Sequence, residues 1–137
     1  MVEPYGYFEH QADVGVVGRG ATVEDALVNA ARATFAVMCA PEAVQPREQL
    51  AVEFEENDVE YALVTWLNLL LAHARERGLV LAAFSLERKG DHWRGEARGE
   101  RWHAGLERGT EVKGATLTAL SVRESNGGWE ARCVVDV

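Results

Sequence analysis

The sequence is short of the features that announce most functions. It has two cysteines, Cys39 and Cys133, far apart and with no CxxC or Cys/His spacing around either. That argues against a thiolate zinc site and suits reduced core thiols of a cytosolic protein. No apolar run approaches the ~20 residues a membrane-spanning helix needs. The first residues also lack the basic segment and small-residue cleavage site of a signal peptide. The expectation is therefore a soluble, cytoplasmic protein with no membrane partner. Basic residues are outnumbered 14 to 22 by acidic ones, and a formal net charge of −8 repels polyanions, so direct tight binding of nucleic acid is not expected. The chain has no GxSxG elbow, no Walker phosphate loop and no GxGxxG turn; Gly15 and Gly18-Arg19-Gly20 are too little to cradle a phosphate. Lacking a recognisable nucleophile, it is poorly equipped to be an enzyme on its own.

What is present is ordinary globular material. With 137 residues, 47% hydrophobic and 26% charged, residues 1–137 have the size and composition of one domain. Size scaling lets such a chain bury roughly 68% of its unfolded surface. Tyr5–Phe8 and Val14–Gly18 read as short strands around a polar turn. Thr22 is placed to cap a helix whose first turn holds Glu24 and Asp25. Val23, Leu27, Ala30, Ala31, Thr34, Phe35 and Met38 then follow at one-sided helical spacing, stopping before Pro41. Leu50, Val52 and Phe54 alternate with polar or small residues as a half-buried strand does. Asn57-Asp58 caps a second helix that runs to Arg77 and stops at Gly78, and its middle is apolar on nearly every side.

The remainder is strands. Leu79–Arg88, Trp93–Arg98, Glu111–Glu124 and Trp129–Val137 are extended by composition or alternation, with Asn126-Gly127-Gly128 a hairpin turn between the last two. On the final strand Trp129, Ala131, Cys133, Val135 and Val137 make the core face, and Glu130, Arg132, Val134 and Asp136 the other. Gly99–Thr110 reads as a mobile loop. On it Arg98, Arg101 and Arg108 make either an anion-contact patch or a merely solvated surface. The predicted fold is a single two-layer α+β domain: a mostly antiparallel or mixed sheet packed with two main helices.

Two stretches draw attention together: Phe8-Glu9-His10-Gln11-Ala12-Asp13-Val14-Gly15 near the start, and Val134-Val135-Asp136-Val137 at the end. Asp13 by itself reads as a turn residue capping neighbouring backbone, and Asp136 by itself as a solvated acid. In combination they read differently. A carboxylate side chain followed by a final main-chain carboxylate puts two negative charges at the end of an apolar strand. If the two ends meet, Asp13, Asp136 and the carboxylate of Val137 form an all-oxygen cluster suited to a hard cation. His10, three residues before Asp13, fits better as a residue that fixes the turn, imidazole being a softer ligand.

These motifs resemble those of the archeases. Tyr7-Phe8-Glu9-His10-Gln11-Ala12-Asp13-Val14-Gly15 is similar to the family's opening, Thr22-Val23-Glu24-Asp25-Ala26 to its first helix start, and Leu63-Val64-Thr65-Trp66-Leu67-Asn68-Leu69-Leu70-Leu71 to its central helix. Glu111-Val112-Lys113-Gly114-Ala115-Thr116 is similar to its late strand, and Val134-Val135-Asp136-Val137 to its ending. The resemblance spans essentially the whole chain. It departs at Gln11, where the family usually has Thr, and at Leu117-Thr118, where it usually has Tyr-His.

The resemblance implies a non-enzymatic, metal-binding protein cofactor whose partner is the RNA-splicing ligase. That ligase seals RNA ends through a guanylylated histidine, and the cofactor promotes its guanylylation and multiple turnover in tRNA splicing or RNA repair. It implies Asp13, Asp136 and Val137 as metal ligands for a divalent cation, Ca²⁺ in preference to Mg²⁺. The alternative is a general chaperone or scaffold protein with a structural metal site; a third, lesser reading is a small metal-dependent hydrolase.

Overall fold

The computed structural model describes residues 3–137. In chain order the elements are β1 (Tyr5–His10), β2 (Asp13–Gly20), α1 (Val23–Ala36), β3 (Glu48–Glu55), α2 (Val59–Arg77), β4 (Leu79–Lys89), β5 (His92–Arg101), β6 (Gly114–Ala115), β7 (Ser121–Ser125) and β8 (Gly128–Asp136), with a 3-10 turn at Pro41–Ala43. The α+β class is as expected, and every strand pairing is antiparallel. The strands divide between two sheets. One has the order β1-β2-β8-β6, with β7 also pairing β8; the other is β3-β5-β4.

Local chemistry accounts for the helices. Thr22 Oγ1 accepts the Asp25 N–H at 3.1 Å and starts α1. Asp58 Oδ1 accepts the N–H groups of Glu60 at 2.8 Å and Tyr61 at 3.3 Å and starts α2. Gly78, at φ +67, ends α2 in the left-handed conformation that glycine adopts without strain. Asn126 and Gly127, at φ 52 and 81, make the tight reversal between β7 and β8.

One buried cluster joins both helices to both sheets. Helix α1 packs on β2 and β8 of one sheet and on β4 of the other, where Phe35 and Phe84 lie 5.5 Å apart, ring to ring. Helix α2 touches α1, β3 and β4 and also β6, β7 and β8, which explains its apolar residues all round. The fully buried Trp66 ties the helices together, its Nε1 donating to Leu27 O at 3.0 Å. Against β2 the backbone of α1 comes unusually close: a Cβ at Gly18 would sit 2.2 Å from both Ala26 O and Ala30 N. Only a strand position without a side chain admits the helix there.

Two local expectations are corrected, and one open alternative is decided. The Glu111–Glu124 stretch is not one strand; it breaks into β6 and β7 around a turn in which Ala119 has φ +54. Gly99–Thr110 is not a free loop. Gly99–Arg101 completes β5, Leu106 is buried, and the N–H groups of Gly109 and Thr110 donate to Met38 O (2.7 Å) and Val37 O (3.0 Å). At its root the buried Glu100 carboxylate accepts the Gln45 N–H at 2.7 Å and meets His103 Nε2 at 3.0 Å. Nor do the three arginines share a patch. Arg98 and Arg101 are an odd number of residues apart on one strand and face opposite ways, while the Arg108 guanidinium lies 3.9 Å over the Trp102 ring.

Two outcomes follow from this packing. Gly18→Ala is expected to destabilise the protein by about 1–3 kcal/mol or more, because rigid backbone must move; a urea titration should show a lower midpoint at unchanged slope. The Gln45 N–H, and secondarily His103, hold the Glu100 carboxyl below its ordinary 4.5. A depressed carboxylate contributes stability that is complete above its unfolded value and is lost as pH falls through the folded one. Acid unfolding below pH ~4.5 should therefore be less steep in Glu100→Gln, and an unchanged profile would refute the contribution.

Candidate metal centre

The pairing of β2 with β8 brings the ends of the chain together. Val14 pairs with Val135 and Val16 with Cys133, and one further step of that register sets Asp13 opposite Asp136. Across the hairpin His10 pairs with Asp13. Cross-strand partners share a face, so His10, Asp13 and Asp136 all belong to the face of the sheet that points away from Val14, Val135 and the core. Asp136 is exposed and Asp13 half-buried. Val137 lies just past the strand, with its side chain packed on the core and its backbone N–H donating to Asp13 Oδ1 at 3.2 Å. The Asp13 side chain thus bonds the far end of the chain and not the backbone of its own turn. That turn is closed instead by Gln11 at φ +54.

Farther along the same outer face the side chains pair among themselves. Phe8 lies over Gly15, its ring within 2.4 Å of where a Cβ would project, and the Arg132 guanidinium sits 4.4 Å above the same ring. Glu130 takes up Arg132 at 3.9 Å and Arg19 at 3.6 Å. Among the described residues neither Asp13 nor Asp136 has an ion-pair partner. Two carboxylates therefore stand on adjacent strands without a protein cation. Val134, expected on the polar side, is 2% exposed on this same face. The segment after β6 explains it: Thr116 N–H and Oγ1 donate to Val134 O (3.0 and 2.8 Å), and Val134 N–H donates to Thr118 O at 3.1 Å. Leu117 and Thr118 therefore lie beside the site strand.

Sequence reasoning overlooked the residues that brace this segment. Asn68 of α2 clasps Ala115 from both sides, its Oδ1 accepting the Ala115 N–H at 2.8 Å and its Nδ2 donating to Ala115 O at 3.2 Å. Arg75 donates to Val112 O at 3.4 Å and Lys113 O at 3.0 Å, and the Lys113 N–H donates to Asp136 O at 2.8 Å. The signal for Asn68 was there, a lone amide inside the apolar run Leu63–Leu71. Such a group must find partners when half-buried.

Among the described residues no three His, Cys, Asp or Glu side chains converge as metal ligands. The donors to hand, two carboxylates beside the Val137 backbone, are all oxygen and uncompensated. They fit a hard cation that takes its remaining ligands from water. They do not fit a soft metal, and both thiols lie elsewhere. Cys39 and Cys133 are buried and free, and burial pushes the Cys133 thiol up to about 12.

The fold and these motifs have counterparts. The model of the archease protein family matches residues 5–137. Proteins described as archease from Aeropyrum pernix and Methanosarcina mazei are each 33% identical to the chain, over 94% and 97% of it and 94% and 95% of their own length. The solution structure of Methanobacterium thermoautotrophicum protein 1598 superposes with a TM-score of 0.82 at 29% identity, over 98% of this chain and 99% of that one. A Thermotoga maritima crystal structure described as an archease, possible chaperone, shares the fold with a TM-score of 0.64 at 19% identity, over 100% and 98% of the two chains.

Removing the Asp13 acceptor in Asp13→Ala is expected to cost about 0.5–1.5 kcal/mol of stability and to speed amide exchange at Val137. Asp13→Asn retains an oxygen at that position and should restore both. Equal exchange at Val137 in all three proteins would mean that this bond does not hold the chain ends together.

Proposed function

The chain belongs to the archease family, and from that premise we propose that it is a metal-binding protein cofactor of an RNA-splicing ligase, serving tRNA splicing or RNA repair in the cytoplasm without turnover of its own. The observation that carries the reading is the pair Asp13 and Asp136 on adjacent strands, with no ion-pair partner for either among the described residues. Asp13, Asp136 and the main-chain carboxylate of Val137 would hold a divalent ion, Ca²⁺ in preference to Mg²⁺. When bound, that ion supplies positive charge to phosphate groups brought near it. The chain's own residues do the positioning. The Val137 N–H turns Asp13 toward the strand end, and Asn68 and Arg75 hold the 112–115 segment against Asp136. A net charge of −8 lets the protein enter a basic, anion-binding ligase cleft where a polyanion would otherwise sit. There it promotes guanylylation of the ligase histidine and release for another round.

The chaperone reading draws on the description of the Thermotoga maritima structure. It predicts a surface that takes up unfolded apolar segments. Among the described residues the large exposed hydrophobics are Tyr7 on β1, Tyr61 on α2 and Leu117 after β6, scattered singly on different elements as on ordinary surfaces. These three offer an unfolded client no continuous apolar surface.

With the cognate ligase, GTP and RNA ends in excess, the protein should convert a single round of sealing into many. Asp13→Asn, which keeps the fold, should lose that effect. By calorimetry Asp136→Ala and a short extension after Val137 should each weaken Ca²⁺ binding by about tenfold or more. An active ligase left unstimulated would overturn the proposal; suppression of aggregation of unrelated clients, insensitive to Asp13→Asn, would favour the chaperone.

A further inference from the structure

Away from the chain ends, a half-enclosed cavity of about 490 Å³ opens between the last turns of α1 and α2 and the 102–112 segment. Its floor is apolar, made by Phe35, Met38, Leu71, Ala74, Leu79 and Val112. Most of these belong to the core proper, so the floor is rigid. The size and the apolar lining with few polar groups are those of small-molecule sites. The charge of the rim is unexpected in so acidic a protein, because Arg75 and Arg108 line it against the single acid Glu111.

Both guanidiniums are held in place without being neutralised. Arg108 is stacked 3.9 Å over Trp102, which also lines the cavity, and Arg75 is anchored to the carbonyls of Val112 and Lys113. Among the described residues neither has an ion-pair partner. Stacking on an aromatic face leaves the edge of a guanidinium free for an acceptor in its plane. The wall that carries Arg108 is itself pinned, by the Gly109 and Thr110 N–H bonds to the end of α1.

We propose that this cavity is a binding site for a small amphipathic anion, an apolar chain or ring bearing one carboxylate: the apolar body lies on the Leu71, Ala74 and Val112 floor and the head group meets Arg108 at the rim. The complementarity has two parts, a rigid apolar floor and, at its mouth, a guanidinium with no ion-pair partner among the described residues. An amine of the same length would meet the wrong sign, and a short carboxylate would leave the floor empty. The site stands independently of the cation and ligase reading, since it shares no ligand residue with Asp13, Asp136 or Val137.

Calorimetry on the full chain with decanoate, decylamine and acetate tests it, alongside amide chemical-shift mapping. Decanoate should bind, decylamine and acetate about tenfold more weakly or not at all, and the decanoate shifts should cluster at Leu71, Ala74 and Val112. Arg108→Gln should weaken decanoate by about fivefold or more while leaving the fold intact. Thr110→Trp, an exposed position that keeps its backbone bond to Val37, should close the mouth and abolish binding at an unchanged melting temperature. Decylamine binding as tightly as decanoate, shifts centred elsewhere, insensitivity to Arg108→Gln, or no binding at millimolar decanoate would each overturn the proposal.

Discussion

The antiparallel contact between β2 and β8 is the constraint on which the rest of the molecule depends. It joins residues from the two ends of the chain, with Val16 meeting Cys133 and Gly18 meeting Ala131. Closing so long a loop is entropically costly, though the cost grows only slowly with length. It is offset by burying the inner residues of both strands under α1. Register here has little freedom. A slip of β8 by one residue would turn Cys133 and Val135 out to solvent and carry Asp136 into the core. The same pairing that makes the core therefore sets the two aspartates side by side on the opposite face.

How the helix reaches that sheet follows from small residues on both sides. Gly18 of β2 and Ala26 and Ala30 of α1 remove the side chains that would keep helix and strand apart. The other side of α1 is then free to meet β4 through Phe35, and Trp66 links the second helix to the first. Electrostatics are divided by position. Glu130 engages Arg19 and Arg132 at one end of the outer face, and Phe8 also stacks under Arg132, while among the described residues no cation pairs with Asp13 or Asp136 at the other. At the distant helix ends the balance is reversed, with Arg75 and Arg108 lacking carboxylate partners among the described residues.

Much of this was legible in the residue order wherever the signal is local. Thr22 and Asp58 cap the helices they were expected to cap, Gly78 ends α2, and Asn126-Gly127 turns the last hairpin, because each acts on backbone within a few residues of itself. Alternation on β8 separated Asp136 from the core face correctly. It misplaced Val134, because the Thr116–Thr118 segment pairs alongside it, which the strand's own pattern does not carry. The Glu111–Glu124 stretch looks continuously extended by composition. It breaks because Asn68 and β8 hold Gly114-Ala115 on one line while the chain must step back to pair Ser121 with Arg132.

Sequence by itself determined the α+β class, the two helices with their limits, and the suspicion that Asp13 and the final residues belong together. Each rests on periodicity, capping chemistry or an oddly placed charge, and those are properties of neighbouring residues. Tertiary structure decided that the strands form two sheets, that Gly99–Thr110 is pinned and not free, and that Asp13 bonds the Val137 amide. It also created the cavity whose rim brings Arg75 and Arg108 together. These outcomes depend on which distant surfaces meet once the core closes, and no run of adjacent residues carries that information.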